Sequence, residues 1–145
     1  MNLDPSAFLG DPELIRALDR HSIEISCGGD HVLFRQGDAP VGLYILHKGE
    51  VTLTLVSRTT SQVDSIQVLP GSVLGLPGLV GNRPYSLTAT AIAGAQLSFI
   101  TRSHFEVLMK SDSRLAIKVT QVLAAEVRAA RQGVVEFAQH QTLQD

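Results

Sequence analysis

The fold of this chain is decided by two neighbouring stretches, Leu74-Gly75-Leu76-Pro77-Gly78-Leu79 and, after five further residues, Tyr85-Ser86-Leu87-Thr88-Ala89-Thr90-Ala91. Polar and apolar residues alternate from Ser86 to Ala91. Because successive side chains of a β-strand point to opposite faces, this alternation predicts a half-buried strand. The first stretch, which contains glycine and proline, is therefore followed by a predicted strand in the second.

The same alternation occurs in several other segments, and clusters of glycine, proline and aspartate lie between them. Short strands separated by regular turn signals predict an all-β sandwich or barrel. The other predicted strands are residues 23–27, 43–46, 51–56, 65–69 and 96–100.

Helices are expected on both sides of the strands. Asp4-Pro5 and Asp11-Pro12 each place a capping acceptor before a proline, which predicts two short N-terminal helices, the second over about 12–20. Ser103 with Glu106 resembles a capping box that opens a short helical turn. These patterns divide the chain into N-terminal helices (1–22), a β-barrel (23–101), C-terminal helices (102–138) and a tail (139–145).

A longer helix is expected from about residue 111–113 to about residue 137, with one apolar seam along it. We expect this seam to pack on a partner helix in a homodimer, because a small domain offers little surface to cover it. The alternative is that the seam packs on its own barrel. The seam residues are Ala116, Val119 or Thr120, Leu123, Val127, Ala130, Val134 and Phe137.

The composition is that of one soluble globular domain. Of the 145 residues, 44% are hydrophobic and 18% are charged, which is sufficient for a core that needs no disulfide. The formal net charge of −2 provides no basic field, so we expect no direct DNA binding. Cys27, the single cysteine, is expected to be a buried and unreactive thiol.

The early acidic residues and the absence of a cationic stretch before an apolar run argue against a signal peptide. No apolar run approaches the roughly 20 residues that are needed to span a bilayer. We therefore expect a cytoplasmic protein that makes no membrane contact.

Two segments resemble signatures of the cyclic nucleotide-binding domain family. Residues 33–49, LFRQGDAPVGLYILHKG, match its first signature: Gly37 with Asp38 predicts a tight turn, and Gly49 the positive backbone angle of the next hairpin. Residues 74–91 resemble the family's phosphate-binding cassette at the family's usual distance from the first signature. The resemblance covers about residues 23–137 and is to bacterial regulators of the catabolite activator type.

This resemblance implies a mainly β fold with flanking helices: a double-stranded β-helix (jelly-roll) barrel, short N-terminal helices and a long C-terminal dimerisation helix. It also implies a signalling role in which a bound ligand shifts the packing of the C-terminal helices. In the family's cassette, a short helix turns backbone N–H groups toward a cyclic phosphate. A glutamate binds the ribose hydroxyl, and an arginine binds the phosphate.

Both charged groups are replaced in this chain. Leu76 stands at the glutamate position, Tyr85 at the arginine position, and Leu87 at a position that is usually alanine. Hydrogen bonds to charged groups contribute about 1.5–3 kcal/mol each, so losing two predicts nucleotide binding that is weaker by roughly 10² to 10⁴-fold. We take the degenerate ligand site to be Leu74, Gly75, Leu76, Pro77, Arg83, Tyr85, Ser86 and Leu87, with no metal and no cofactor.

Two residues offer alternatives at this site. Arg83 could replace the missing arginine, because residues two apart share one face of an extended backbone, although Pro84 interrupts the strand. The Tyr85 hydroxyl could donate to a ligand oxygen. The competing expectation for Tyr85 is a ring that packs over the barrel mouth with its hydroxyl in water.

No other chemistry is predicted. No two histidines have the spacing of a metal site. If a haem were bound, His47 or His104 would be its ligand. The favoured interpretation of both is an ordinary surface or hydrogen-bonded histidine. No nucleophile lies beside a base and no carboxylates form a pocket pair, so we expect no enzyme.

Three functions stay open. The first is a sensor of a small molecule, a cyclic nucleotide or a less polar ligand that suits Leu74, Leu76 and Leu87. The second is a ligand-free domain for dimerisation or protein interaction. The third is a fragment of a true cAMP- or cGMP-binding transcription regulator. The family's regulators continue into a helix-turn-helix domain, and because the sequence ends at Asp145 we expect no recognition helix in this chain.

Overall fold

Two four-stranded antiparallel sheets form the body of the protein. The structure is a computed structural model and describes residues 4–57 and 59–124. One sheet has the strand order β1-β8-β3-β6 and the other the order β2-β7-β4-β5. The strands are β1 (Ile23–Ser26), β2 (His31–Phe34), β3 (Gly42–Lys48), β4 (Val51–Val56), β5 (Val63–Val68), β6 (Val73–Leu74), β7 (Thr88–Ala91) and β8 (Gln96–Thr101).

The chain crosses between the two sheets at almost every connection, which is the topology of a jelly roll. The predicted mainly β fold with flanking helices is therefore confirmed. Sequence alternation located six of these strands and missed β2 and β6. At β1 the predicted inward face is only partly buried: Cys27 is buried just beyond the strand, whereas Ile23 is 62% exposed at the other end of this edge strand.

Among the described residues, four helices and one short 3-10 segment flank the sheets. The 3-10 segment (Pro5–Phe8) is capped by Asp4, and α1 (Pro12–Asp19) is capped by Asp11, as their sequences predict. The others are α2 (Leu76–Gly81), α3 (Arg102–Ser111) and α4, which begins at residue 113 and is described to residue 124.

The start of α3 differs from the prediction. Its capping residue is Thr101, whose hydroxyl accepts the His104 N–H at 3.3 Å, rather than Ser103. Glu106 forms an ion pair with Arg102 at 3.1 Å, one turn away, instead of closing a capping box. Because Thr101 is the last residue of β8, the helix follows the strand directly and runs for ten residues instead of one turn.

The hydrophobic residues form two clusters on opposite sides of the β1-β8-β3-β6 sheet. The interior cluster lies between the sheets and includes Leu46, Leu53 and Tyr85. The helix-side cluster lies between that sheet and the helices and includes Leu43 and Ile45. Alternation along β3 therefore supplies both clusters, since consecutive side chains of a strand point to opposite faces.

The first turns of α4 pack on their own domain. Leu115, Val119 and Val122 are buried in the helix-side cluster, whereas Ile117 is 61% exposed. Of the predicted seam residues, Val119 is buried in this cluster, whereas Ala116 and Leu123 are only partly buried and Thr120 is exposed. Packing of this part of the seam on a partner helix therefore stays a prediction. The seam from Val127 to Phe137 lies outside the described residues, so its packing stays a prediction.

Ion pairs surround the contact between α4 and the start of α1. Lys118 Nζ lies 2.7 Å from Asp11 Oδ2 and 3.5 Å from Glu13 Oε2, and an Arg114 guanidinium nitrogen lies 3.1 Å from Glu13 Oε1. The hydrogen bond with Lys118 is the main reason that the pKa of Asp11 is below its ordinary value. Asp11 Oδ1 meanwhile caps α1. The Asp11 carboxylate therefore both caps α1 and forms an ion pair with Lys118 of α4.

We predict that Lys118→Met loosens α4, because it keeps an apolar side chain but removes the charge that faces Asp11 and Glu13. Amide hydrogen exchange at residues 115–119 is expected to be faster than in the wild type. Lys110→Met changes an exposed lysine at the end of α3 and serves as the control. Equal exchange rates in the two variants would contradict this role for Lys118.

Candidate functional site

The cassette begins where β6 meets α2. Gly75 stands between them with φ +91°, in the left-handed region that favours glycine. A Cβ atom at this position would lie 3.1 Å from Tyr85 Cε1 and 3.3 Å from the Gly42 carbonyl oxygen. Glycine is therefore required here both by the backbone angle and by the close approach of Tyr85.

Leu76, at the position of the family's glutamate, faces the helices. Its side chain is fully buried in the helix-side cluster, which also contains Leu14 of α1 and Leu79 of α2. An aliphatic side chain neither accepts nor donates a hydrogen bond. This position therefore contributes packing and no polar contact.

Tyr85, at the position of the family's arginine, is turned into the interior cluster. The residue is 3% exposed, and its ring stacks on Phe34 with the ring centres 4.1 Å apart. Its hydroxyl donates to the Gly42 carbonyl oxygen at 2.7 Å and accepts the N–H groups of Val41 at 3.0 Å and Gly42 at 3.2 Å. A phenol hydroxyl has one donor and two acceptor positions. All three are used by the backbone.

Both expectations for the Tyr85 hydroxyl are therefore wrong. It neither lies in water at the barrel mouth nor has a donor left for a ligand oxygen. The reason is that Val41 and Gly42 present two N–H groups and a carbonyl at the beginning of β3, and these hold the buried phenol. The sequence gives no local signal for this contact, because 43 residues separate Tyr85 from Gly42.

The backbone of Tyr85 also anchors the loop that follows β2. The Tyr85 N–H donates to the Asp38 carbonyl oxygen at 2.9 Å, and its carbonyl accepts the Gly37 N–H at 2.8 Å. Gln36, which the sequence analysis did not single out, fastens the same loop to β4. Its side-chain amide donates to the Val56 carbonyl at 3.1 Å and accepts the Val56 N–H at 3.0 Å.

The remaining candidate residues do not converge on one point. Leu74 and Leu87 lie with Tyr85 at the interior cluster, whereas Leu76 lies on the other side of the sheet. Pro77 is half-buried and Ser86 is exposed. The three leucines therefore do not line one common pocket.

Arg83 is exposed whereas Tyr85 is buried, so the two side chains do not share a face. The expected two-residue periodicity fails because β7 begins only at Thr88 and the preceding residues are irregular. The Arg83 N–H donates to the Gly78 carbonyl at 3.0 Å, just after α2 ends. Within residues 4–57 and 59–124, the buried polar side chains are Ser72 and Ser98, and neither carries a charge.

A second aromatic residue completes the cluster near the cassette. The Tyr44 ring centre lies 4.8 Å from that of Phe99 and 6.0 Å from that of Phe34. Burial is the main cause that raises the pKa of Tyr44. Its hydroxyl donates to the Leu33 carbonyl at a long 3.4 Å. The interior beside the cassette is therefore aromatic and neutral.

His47 belongs to a hydrogen-bonded group between α1 and the sheet. Its Nε2 lies 3.0 Å from Asp19 Oδ1 and 2.7 Å from the hydroxyl oxygen of Ser98. The Ser98 hydroxyl itself donates to Asp19. Because one ring nitrogen faces both partners and Ser98 is 1% exposed, the group does not present a nucleophile to solvent. In the part of the chain that the structure describes, no three metal-ligating side chains lie together.

The family follows from comparison of the sequence with family models. The model of the cyclic nucleotide-binding domain matches residues 24–112. The chain belongs to this family. The match includes both the first signature and the cassette, so the resemblance inferred from residues 33–49 and 74–91 is confirmed. No match was found among the curated proteins with which the sequence was compared.

Solved structures share the fold of this cyclic nucleotide-binding domain at low sequence identity. The catabolite activator protein of Thermus thermophilus matches with a TM-score of 0.75 and 22% identity over 93% of this chain and 63% of its own. A transcriptional regulator from Thermotoga maritima matches with a TM-score of 0.70 and 15% identity over 86% of this chain and 98% of its own.

A third structure is the c-di-GMP-responsive global regulator CLP of Xanthomonas campestris, with a TM-score of 0.64 and 16% identity over 91% of this chain and 63% of its own. This chain thus spans less than two thirds of the length of the Thermus and Xanthomonas regulators. Among its described helices, none combines the length and apolar character of a membrane span.

We predict that Leu76→Glu, which places the family's residue in this chain, destabilises the fold by about 3 kcal/mol, because it buries an unpaired carboxylate. Val80→Glu, on the exposed side of the same helix, is the control and should change the free energy of unfolding by less than about 0.5 kcal/mol. Urea unfolding at pH 7 measures both. Similar losses in the two variants would contradict the buried position of Leu76.

The Asp19 group predicts a loss of stability in acid. Hydrogen bonds from Ser98 first, and then from His47, lower the pKa of Asp19 from its ordinary value of 3.8. Its contribution to stability is therefore complete above that value and disappears as the pH falls through the lower folded-state pKa. Asp19→Asn should reduce the difference between the urea midpoints at pH 7 and pH 3, whereas Asp38→Asn, at an exposed aspartate, should leave it unchanged. An unchanged difference in Asp19→Asn would contradict this assignment.

Proposed function

We propose that this chain is a regulatory, ligand-sensing module of the catabolite activator type whose cassette has lost its charged anchors, so that it binds cyclic nucleotides weakly or not at all. One observation carries the proposal. Leu76 and Tyr85 stand where an acid and a guanidinium are needed, and both side chains are buried, Tyr85 with its whole hydrogen-bonding capacity used by the backbone.

Electrostatics supports the same proposal. A cyclic phosphate carries a negative charge, and moving such a charge out of water without a partner is costly. The described residues include no buried arginine or lysine, and Arg83 is exposed beyond the end of α2. A phosphate at the cassette would therefore meet a neutral, aromatic interior.

A less polar ligand is favoured over a nucleotide by Leu74 and Leu87, which accompany Tyr85 at the interior cluster. Leu76 adds nothing to this argument, since it belongs to the helix-side cluster. The Xanthomonas regulator responds to c-di-GMP, so cyclic dinucleotides also belong in any ligand test of this chain.

A second candidate function is a ligand-free domain for dimerisation or protein interaction. It is favoured by one observation: α4 is already packed on the domain through Leu115, Val119 and Val122. Dimerisation would use the seam from Val127 to Phe137, which lies outside the described residues.

The test is a melting-temperature series with cAMP, cGMP and c-di-GMP at 1 mM. A site with a Kd near 10 μM would gain about 2.7 kcal/mol at that concentration, or roughly 8 °C for a domain of this size. We expect a shift below about 1 °C with each nucleotide, because two charged contacts are missing. Non-cyclic AMP is the ligand control.

A large shift with cAMP or cGMP would overturn the proposed loss of the anchors. Arg83→Ala, with Arg35→Ala as the matched exposed control, would then identify the guanidinium. If Arg83→Ala alone abolishes the shift, Arg83 supplies the missing charge. If only c-di-GMP shifts the melting temperature, the module senses a dinucleotide through another surface, and the proposal for mononucleotides stands.

A further inference from the structure

The Tyr85 side chain joins three parts of the fold that are distant in sequence. It leaves the segment between α2 and β7, stacks on Phe34 of β2, and binds the backbone of Val41 and Gly42 at the beginning of β3. Its own backbone is bonded to Gly37 and Asp38 in the loop between β2 and β3.

The ring of Tyr85 also lies directly against the cassette. A Cβ added at Gly75 would come within 3.1 Å of Tyr85 Cε1, and one added at Gly78 would come within 3.6 Å of Tyr85 Cδ1. Both glycines belong to the beginning of α2 or its first turn. At Gly75 the absence of a side chain allows the close approach of the ring, whereas at Gly78 the closest neighbour is the Arg83 carbonyl oxygen, 2.9 Å from a Cβ added there.

The opposite side of α2 belongs to the helix-side cluster, to which α4 also contributes. Leu76 and Leu79 are buried in the same cluster as Leu115 and Val119 of α4. The cassette helix thus lies between the Tyr85 ring and the cluster that holds the first turns of α4. Packed interiors transmit strain, so this shared cluster connects the Tyr85 side of α2 with the beginning of α4.

We propose that Tyr85 is an internal lock, which holds α2 and, through it, the beginning of α4 in one position without any bound ligand. This inference rests on the proposed function in one respect, that the chain is a regulatory module in which, as the family resemblance implies, the packing of the C-terminal helices is the output. The lock consists of one stacked ring and three hydrogen bonds to main-chain atoms at the beginning of β3.

Tyr85→Phe tests the lock, since it keeps the ring and removes the three hydrogen bonds. Tyr44→Phe is the matched control, because Tyr44 is the other tyrosine, adjoins the same cluster, and makes a single long hydrogen bond to Leu33. Hydrogen exchange is measured at residues 75–81 and 113–122. Tyr85→Phe should raise exchange in both segments on the order of tenfold, and Tyr44→Phe by less than about twofold.

Chemical rescue provides a second measurement. Tyr85→Ala leaves a cavity beside Phe34, and engineered cavities lined by apolar side chains bind small aromatic molecules. The backbone groups of Val41 and Gly42 add hydrogen-bonding partners for a ligand hydroxyl at one end of this cavity. Adding p-cresol, which has the shape and hydroxyl of the lost side chain, should restore slow exchange in both segments. Toluene, which lacks the hydroxyl, should restore less. If Tyr85→Ala does not fold, Tyr85→Phe decides the question alone.

Exchange in Tyr85→Phe equal to that in Tyr44→Phe would overturn the lock. Faster exchange at residues 75–81 without a change at 113–122 would overturn its extension to α4. Neither result depends on nucleotide binding. Conversely, tight binding of cAMP by the wild type would overturn the proposed function and leave the exchange comparison unaffected. The proposed function and the lock are therefore tested by different measurements.

Discussion

The hydrogen bonds between the Tyr85 hydroxyl and the beginning of β3 are the contact on which the cassette depends. The phenol pairs with one carbonyl and two N–H groups at Val41 and Gly42. The two bonds to Gly42 are buried, so removing the hydroxyl would leave buried backbone groups unsatisfied there. The same hydrogen bonds fix the segment between α2 and β7, to which Tyr85 belongs. Glycine at position 75 suits this arrangement, because its φ of +91° is strained for other residues and a Cβ atom there would lie only 3.1 Å from the ring.

The two faces of the β1-β8-β3-β6 sheet contact different hydrophobic clusters, and this difference determines what the cassette can do. The alternation along β3 sends Ile45 to the helices and Leu46 to the interior. The cassette, at the end of β6, continues this division, so that Leu76 faces the helices and Tyr85 the interior. In the family the residues at these two positions bind one ligand. In this chain Leu76 and Tyr85 lie in two separate hydrophobic clusters, and neither side chain carries a charge.

Much of the fold could be predicted from the sequence because its signals are local. Alternation located β4 to the residue, and Asp4 and Asp11 marked the helices that they cap. Strand β6 was not predicted because two residues are too short to show a period. The packing of α4 was not predicted because its apolar residues can pack on its own domain as well as on a partner. The position of Tyr85 depends on Val41 and Gly42, which are remote in sequence, so residue type alone left its side chain undetermined.

Nuclear magnetic resonance of the hydroxyl proton tests this description of the cassette most directly. The chain has only two tyrosines, so with both labelled at Cζ the resonance that remains in Tyr44→Phe belongs to Tyr85. The Tyr85 hydroxyl proton should exchange slowly with water and keep its chemical shift when cAMP is added to 1 mM, because its partners are all backbone groups of the protein. A Tyr85 hydroxyl that exchanges as fast as a solvent-exposed phenol, or whose resonance moves with cAMP, would contradict the structure's arrangement of the site.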